Sequence, residues 1–252
     1  MSPMPASPDT AAPLEVRHED GVRTFVLNRP DKLNALDANL VDALSAAVHE
    51  AHADRVRLMV FRGAGRSFSA GFDLSRLEEQ SEGDLVLRFV RIEMLLQAIA
   101  RSPAQTLALA HGRIFGAGAD LFAACRHRVA APDASFRMPG LKFGLVLGTR
   151  RFGEIVGADH ARRVLERVGA FTAAEAAAMN FATRLASPDE WPAIVGELDS
   201  VARMLADDTR KELYRVLDPN AGHADEDLAT LTRSAARPGL KDRLRHYLGK
   251  QP

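Results

Sequence analysis

Two stretches of small residues stand where backbone amides could do chemistry: GAGRSFSAGFDLS, Gly63 to Ser75, and AHGRIFGAGADL, Ala110 to Leu121. Each follows an apolar run that reads as a strand, and each leads toward a predicted helix start. Amides at such a strand-to-helix corner are not used by the sheet and can point at an oxygen that becomes negative. Two corners facing one another make an oxyanion hole. The carboxylate that could move a proton beside it is Asp120, within the second stretch.

The elements that must position these corners alternate along the first two-thirds of the chain. Leu14 to His18 and Val22 to Leu27 read as a hairpin, followed by the polar loop NRPDKLNALD from Asn28 to Asp37. Apolar residues at helical spacing predict a helix over Ala38 to Ala53 with Asp37 as its cap. Arg55 to Arg62 is a predicted strand leading to the first corner, with a helix from Asp84 to Ala100 after it. Thr106 to His111 leads to the second corner. The nearly all-apolar helix predicted over Ala117 to Ala124 must be buried.

Val129 to Ala131 and Ser135 to Met138 read as short strands around a Pro132-Asp133 turn. From Thr149 the pattern is mainly helical, with breaks at Gly157, Gly169, Pro188, Pro219 and Pro238 and a basic helix over Gly239 to Gly249. Repeated strand-helix units of this length favour an α/β fold with largely parallel pairing.

Composition narrows the function classes. The 252 residues are 46% hydrophobic, enough for one large core, and Lys plus Arg equals Asp plus Glu at 33 each, so no overall field favours nucleic acid or an anionic membrane. With 6% aromatics, RNA binding has little support. The single cysteine, Cys125, has no disulfide partner within the chain and reads as a core residue. No run approaches the roughly 20 apolar residues that span a bilayer. The expected setting is cytoplasmic, with no membrane partner and no metal, since His49 and His52 read as a solvated pair on one helix face. The three prolines and two serines within residues 1–12 predict a flexible lead-in.

Rival motifs fail on their letters. Gly116-x-Gly118 lacks the third glycine of a dinucleotide-binding turn, and Gly65-Arg66-Ser67-Phe68-Ser69 misses the last glycine of a serine-hydrolase elbow.

Three segments, LNRPDKLNALD at Leu27 to Asp37, GAGRSFSAGFDL at Gly63 to Leu74, and HGRIFGAGADL at His111 to Leu121, resemble in order and spacing the signatures of the crotonase, or enoyl-CoA hydratase/isomerase, superfamily. The likeness extends over roughly residues 14 to 185. It implies a crotonase-like spiral of ββα units over residues 13–200 and a helical C-terminal trimerisation region over 201–252. It also implies an acyl-CoA substrate of the kind met in fatty acid metabolism, a homotrimer or a dimer of trimers, and no cofactor beyond the coenzyme A of the substrate itself.

Mapped by motif, the oxyanion donors are the N–H groups of Phe72 and Ala117. The second position is commonly glycine in the family, and alanine keeps the N–H. Gly116, Ala117 and Gly118 could equally serve close helix packing, and Phe72 could equally be core. Ser69, Ala70, Asp73 and Leu74 resemble the loop that holds the adenine ring; Lys32, Leu33 and Ala35 resemble the loop beside the nucleotide, with Lys32 otherwise a solvated charge.

Hydratases of the family carry one glutamate three residues past the second oxyanion residue and another in a downstream F-x-x-P-E segment. This chain has Asp120 and, in Phe136-Arg137-Met138-Pro139-Gly140, no carboxylate at the second place. Hydration needs both a base for water and an acid for the α-carbon, so the expectation is an enolate-forming enzyme other than a standard two-glutamate hydratase. A non-catalytic acyl-CoA-binding protein is the competing class. Asp120 either moves the proton or pairs within the core; it is about 1.5 Å shorter in reach than glutamate. Arg113, Arg137, Lys142 and Glu93 are the other charges that could compensate, Arg137 foremost because a guanidinium could hold a carboxylate-bearing acyl group.

Overall fold

The computed structural model describes residues 12–218 and 222–249. The lead-in expected over residues 1–12 lies, except for Ala12, outside them, as does Pro219.

Strands β1 (Leu14–Glu19) and β2 (Val22–Leu27) form the expected hairpin. Helix α1 (Ala38–Ala53) follows, its Asp37 cap accepting from Leu40 N at 2.9 Å. Next come β3 (Leu58–Gly63), α2 (Glu82–Ala100) with a Ser81–Asp84 capping box, β4 (Gln105–Ala110), β5 (Arg113–Phe115) and α3 (Ala117–Ala124). The chain continues through β6 (His127–Ala130), β7 (Ser135–Arg137), α4 (Thr149–Val156), α5 (Ala158–Arg167), β8 (Ala170–Thr172), α6 (Ala173–Ala178) and β9 (Arg184–Leu185). Helices α7 (Trp191–Arg203), α8 (Asp207–Val216), α9 (Ala224–Ala235) and α10 (Leu240–Tyr247) complete it.

One sheet runs in the order β1-β2-β3-β4-β6-β9 and a second in the order β5-β7-β8. All neighbours are parallel except β1 with β2 and β7 with β8. The α/β reading therefore holds, with β5 added in the second motif and β8 and β9 added in the stretch after Thr149 that reads as mainly helical. The three residues of β5 turn the corner into a strand-strand-helix unit.

Between the sheets and the helices lies the main core, built from Phe25, Phe61, Phe122, Phe136 and Phe181 with the apolar faces of α1 and α2. All eight residues of α3 are buried, Asp120 the one charged side chain among them. The C-terminal helices pack back on this body: Leu231 and Ala235 of α9 and Leu240 and Leu244 of α10 join Leu85 and Phe89 of α2 and Phe143 and Leu145 in one apolar cluster.

Candidate active site

At the second corner the expected helix start is present, entered through β5 rather than directly from β4. Ala117 opens α3, and its N–H, one of the four that a helix start leaves free, has no partner among the described residues. The left-handed backbone angle falls on Gly116, φ 50°, so Ala117 keeps ordinary helical geometry and its methyl costs nothing there.

At the first corner a correction is needed. β3 does not run into a helix; α2 starts only at Glu82, and residues 64–76 form a loop. The Phe72 N–H nevertheless has no partner among the described residues, because Phe72 sits in a parallel bridge opposite Leu36. The flanking groups make the bonds there, Leu36 N to Gly71 O at 2.7 Å and Asp73 N to Leu36 O at 3.1 Å, which turns the Phe72 amide to the opposite side. The two corners touch at Gly71, φ 85°: a Cβ on it would collide with the Phe115 carbonyl oxygen and lie 3.1 Å from Ala117 N. Only glycine permits that approach.

Several side chains hold the loop in place. Asn34, fully buried, donates from Nδ2 to the carbonyls of Ala64 and Ser67, each at 2.8 Å. Arg88 donates to the carbonyls of Leu36 and Asp73 at 3.1 and 3.0 Å and lies 4.0 Å over the Phe72 ring, whose other stacking partner is Phe89 at 4.1 Å. Phe72 thus has a packing role for its ring and a free donor on its main chain.

A cavity of about 110 Å³ opens on both corners. Ala70, Phe72 and Leu74 line it from the first, and Gly116, Ala117 and Asp120 from the second. Gly140 lies on its wall in the short turn Gly140–Phe143. Among the lining residues the polar side chains are those of Asp120, Thr149 and Tyr247; the rest is apolar.

Asp120 is 3% exposed, and its Oδ1 has no hydrogen-bond partner among the described residues. A Cβ on Gly148 would fall on that oxygen, so a glycine there makes room for the carboxyl. Burial holds the Asp120 carboxyl well above the ordinary carboxylate range; Arg151 pulls the other way, and Glu93 adds to the rise. The surroundings favour the neutral acid.

The nucleotide-loop residues divide. Ala70 and Leu74 line the cavity. Ser69 is buried and structural, its Oγ donating to Asn34 O at 2.8 Å and accepting from Gly71 N at 3.2 Å. Lys32 is exposed, and neither it nor Leu33, Ala35 or Ser69 borders the cavity. Asp73 faces the other side of the loop, into an open depression of about 420 Å³ shared with Arg29, Arg76, Arg88 and Arg91.

There Arg29 donates to Asp73 Oδ2 at 2.9 Å and Ser75 N to Oδ1 at 2.8 Å. Burial opposes the ionised form, but the bonds from Ser75 and Arg29 outweigh it and hold the carboxyl below its ordinary range. An acid whose folded pKa is depressed contributes stability above its unfolded value and loses it as pH falls. Asp73→Asn is therefore expected to cost about 2 kcal/mol at pH 7, with the difference shrinking below about pH 4; urea unfolding across that range checks it.

Of the compensating charges, none lines the cavity. Arg113 and Lys142 are exposed. Arg137 donates from Nε to Val168 O at 3.2 Å, which holds its side chain away from any acyl group. Glu93 is the exception in kind: it is 2% exposed and bonded to Arg151 beneath Asp120. Arg88, Asn34, Gly148, Thr149 and Tyr247 carry roles that motif reading missed. The helix containing Tyr247 was visible, but its docking on Phe143, ring centres 5.0 Å apart, was not.

Among the described residues no group of three or more His, Cys, Asp or Glu side chains is placed to hold a metal ion, and no helix is long and apolar enough to cross a membrane.

The enoyl-CoA hydratase/isomerase family model matches residues 17–224. The chain belongs to that family. It is 32% identical over 242 residues to the Mycobacterium bovis protein named probable enoyl-CoA hydratase echA6, covering 88% of this chain and 96% of the relative. Identity to the Mycobacterium leprae protein of the same name is 34% over 208 residues, 77% of this chain and 82% of that one.

An enoyl-CoA hydratase/isomerase-class crystal structure from Bordetella parapertussis superposes with a TM-score of 0.93 at 56% identity, covering 96% of this chain and all of that one. The Bacillus halodurans enoyl-CoA hydratase, at 20% identity, shares the fold with a TM-score of 0.82 over 93% of this chain and 99% of that one.

Proposed function

We propose that this member of the enoyl-CoA hydratase/isomerase family is an enzyme that binds an acyl-CoA, places the thioester oxygen between the N–H groups of Phe72 and Ala117, and moves one proton with Asp120. The observation that carries this reading is the convergence of two unpartnered amides and one buried carboxyl on a single apolar cavity. Donors fixed before the reaction stabilise developing negative charge without reorganising, and an apolar wall strengthens the effect.

At Gly140 no second carboxylate stands on that wall, so ordinary two-carboxylate hydration lacks one participant. Isomerisation, hydration of an unusual substrate, or another enolate reaction fits a single acid. Ala70 and Leu74 then lie along the pantetheine and nucleotide path, with Lys32, Leu33, Ala35, Ser69 and Asp73 shaping the loops behind it. Coenzyme A enters as part of the substrate, and the assembly is a homotrimer or a dimer of trimers in the cytoplasm.

The test is turnover of a panel of saturated, 2-enoyl and 3-enoyl thioesters of coenzyme A, with binding measured on the same samples by calorimetry. Turnover of at least one supports the enzyme. Binding throughout with turnover of none replaces it by a non-catalytic acyl-CoA-binding protein, and absence of binding removes both.

A further inference from the structure

At the cavity wall three nearly buried ionisable side chains from three helices converge. Asp120 of α3, Glu93 of α2 and Arg151 of α4 are 3%, 2% and 8% exposed. Arg151 Nη2 donates to Glu93 Oε1 at 3.3 Å, and Gln97 Nε2 donates to the same oxygen at 3.0 Å while also reaching Ala224 O at 2.9 Å. Asp120 Oδ1, Glu93 Oε2 and Arg151 Nε and Nη1 are buried without a hydrogen-bond partner among the described residues.

Two carboxylates and one guanidinium, all charged, would leave a net negative charge on side chains that are almost wholly buried, which is costly. The charges farther out do not remedy this. Arg150 is already paired with Glu226 and Asp227, at 2.8 and 2.7 Å, and Arg101 and Asp218 border the far side of Glu93 and Arg151. Tyr247 shares the cavity with Asp120 but is not a cation. One of the two carboxyls has to carry a proton. Glu93 receives both hydrogen bonds that stabilise an anion; the Oδ1 of Asp120 receives none.

We propose that Glu93 and Arg151 are positioning residues for Asp120, the two carboxyls beside the Arg151 guanidinium sharing one proton that resides on Asp120 in the ligand-free protein. Asp120 then meets the substrate as an acid. This rests on the single-carboxyl reading of the site and narrows it to reactions that end in proton delivery to an enolate. The enolate forms as water adds to the β-carbon of an enoyl thioester; the O–H bond of Asp120 breaks as the enolate electron pair forms the new C–H bond at the α-carbon, and the proton shed by the added water restores the Asp120 carboxyl, so that no proton is gained or lost.

Infrared spectroscopy on the full ligand-free chain tests this without turnover. The carbonyl stretch of a buried protonated carboxyl is expected at pH 7 in the wild type and absent in Asp120→Asn. Glu93→Gln frees Arg151 for Asp120 and is expected to lower the pH at which the band titrates by about one unit or more, a tenfold loss of proton affinity. Glu93→Asp keeps the charge and stays near the wild type. Should Glu93→Gln fail to fold, Arg151→Gln, which removes the cation, is expected to move the titration upward. A band missing at pH 7, a band surviving Asp120→Asn, or a titration that the position 93 or 151 variant leaves unmoved overturns the proposal. Failure of the thioester panel with these infrared results intact rejects the enzymatic reading alone.

Discussion

Asp120→Asn is expected to lower kcat on whichever thioester the enzyme turns over by about 10²–10⁴, the range typical of a positioned proton-transfer group, while acyl-CoA affinity stays unchanged. The amide fills the same space beside Gly148 and disturbs neither free N–H, so the loss reports proton transfer rather than the oxyanion hole. Stability should move in the opposite direction. Burial raises the Asp120 carboxyl, Arg151 partly offsets the rise, and Glu93 reinforces it. The folded protein therefore keeps a proton that the unfolded chain releases above about pH 4. Wild-type stability falls as pH rises through that interval, by up to about 1.4 kcal/mol per unit between the unfolded and folded values. Asparagine carries no such penalty, so its stability relative to the wild type should improve steadily from pH 4 upward. Steady-state kinetics and denaturation at several pH values measure both. A variant within a few-fold of wild-type kcat would return Asp120 to a structural role.

The helices that frame the site were legible in the sequence because their signals are local. Asp37 caps α1 and its apolar residues recur at helical spacing, so Ala38–Ala53 could be read directly. The same holds for α3, where an apolar octet follows Gly116. β5 was not legible: three residues are too few to show alternation, and Arg113–Phe115 becomes a strand by pairing with Ser135–Arg137. The first corner misled for a related reason. Its loop is held by Asn34, Arg29 and Arg88, residues 30, 44 and 15 positions from their partners Ala64, Asp73 and Asp73, and separations of that kind leave no periodic trace.

Motif spacing singled out Phe72, Ala117 and Asp120, which line one cavity, since each lies within a few residues of a glycine turn. It could not tell which way a neighbouring charge points. Arg137 follows core residue Phe136 on β7, and successive strand side chains alternate between faces. The structure sends it to Val168 O, whereas Glu93, another of the charges that could compensate, ends inside the molecule.

Gly140→Glu is expected to create or raise 2-enoyl-CoA hydration, by about 10²-fold if the new carboxylate supplies even the lower end of general-base assistance. The argument is geometric. Gly140 already lines the cavity that Asp120 lines, and its backbone φ is not in the left-handed region, so a side chain meets no conformational barrier. A Cβ there would approach Leu145 O to 3.2 Å, a tight contact that a shift of a few tenths of an ångström relieves. An acid held neutral at Asp120 and a base introduced across the cavity would divide the work that hydration requires, one protonating the α-carbon and the other activating water. Turnover of 2-enoyl-CoA by the single variant, compared with the Gly140→Glu/Asp120→Asn double variant, decides the matter. If the gain survives loss of Asp120, the new carboxylate is acting alone. If no gain develops in a folded variant that still binds acyl-CoA, then Asp120 and the Gly140 wall do not face the same two carbons, and the missing carboxylate is not what separates this site from a two-glutamate hydratase.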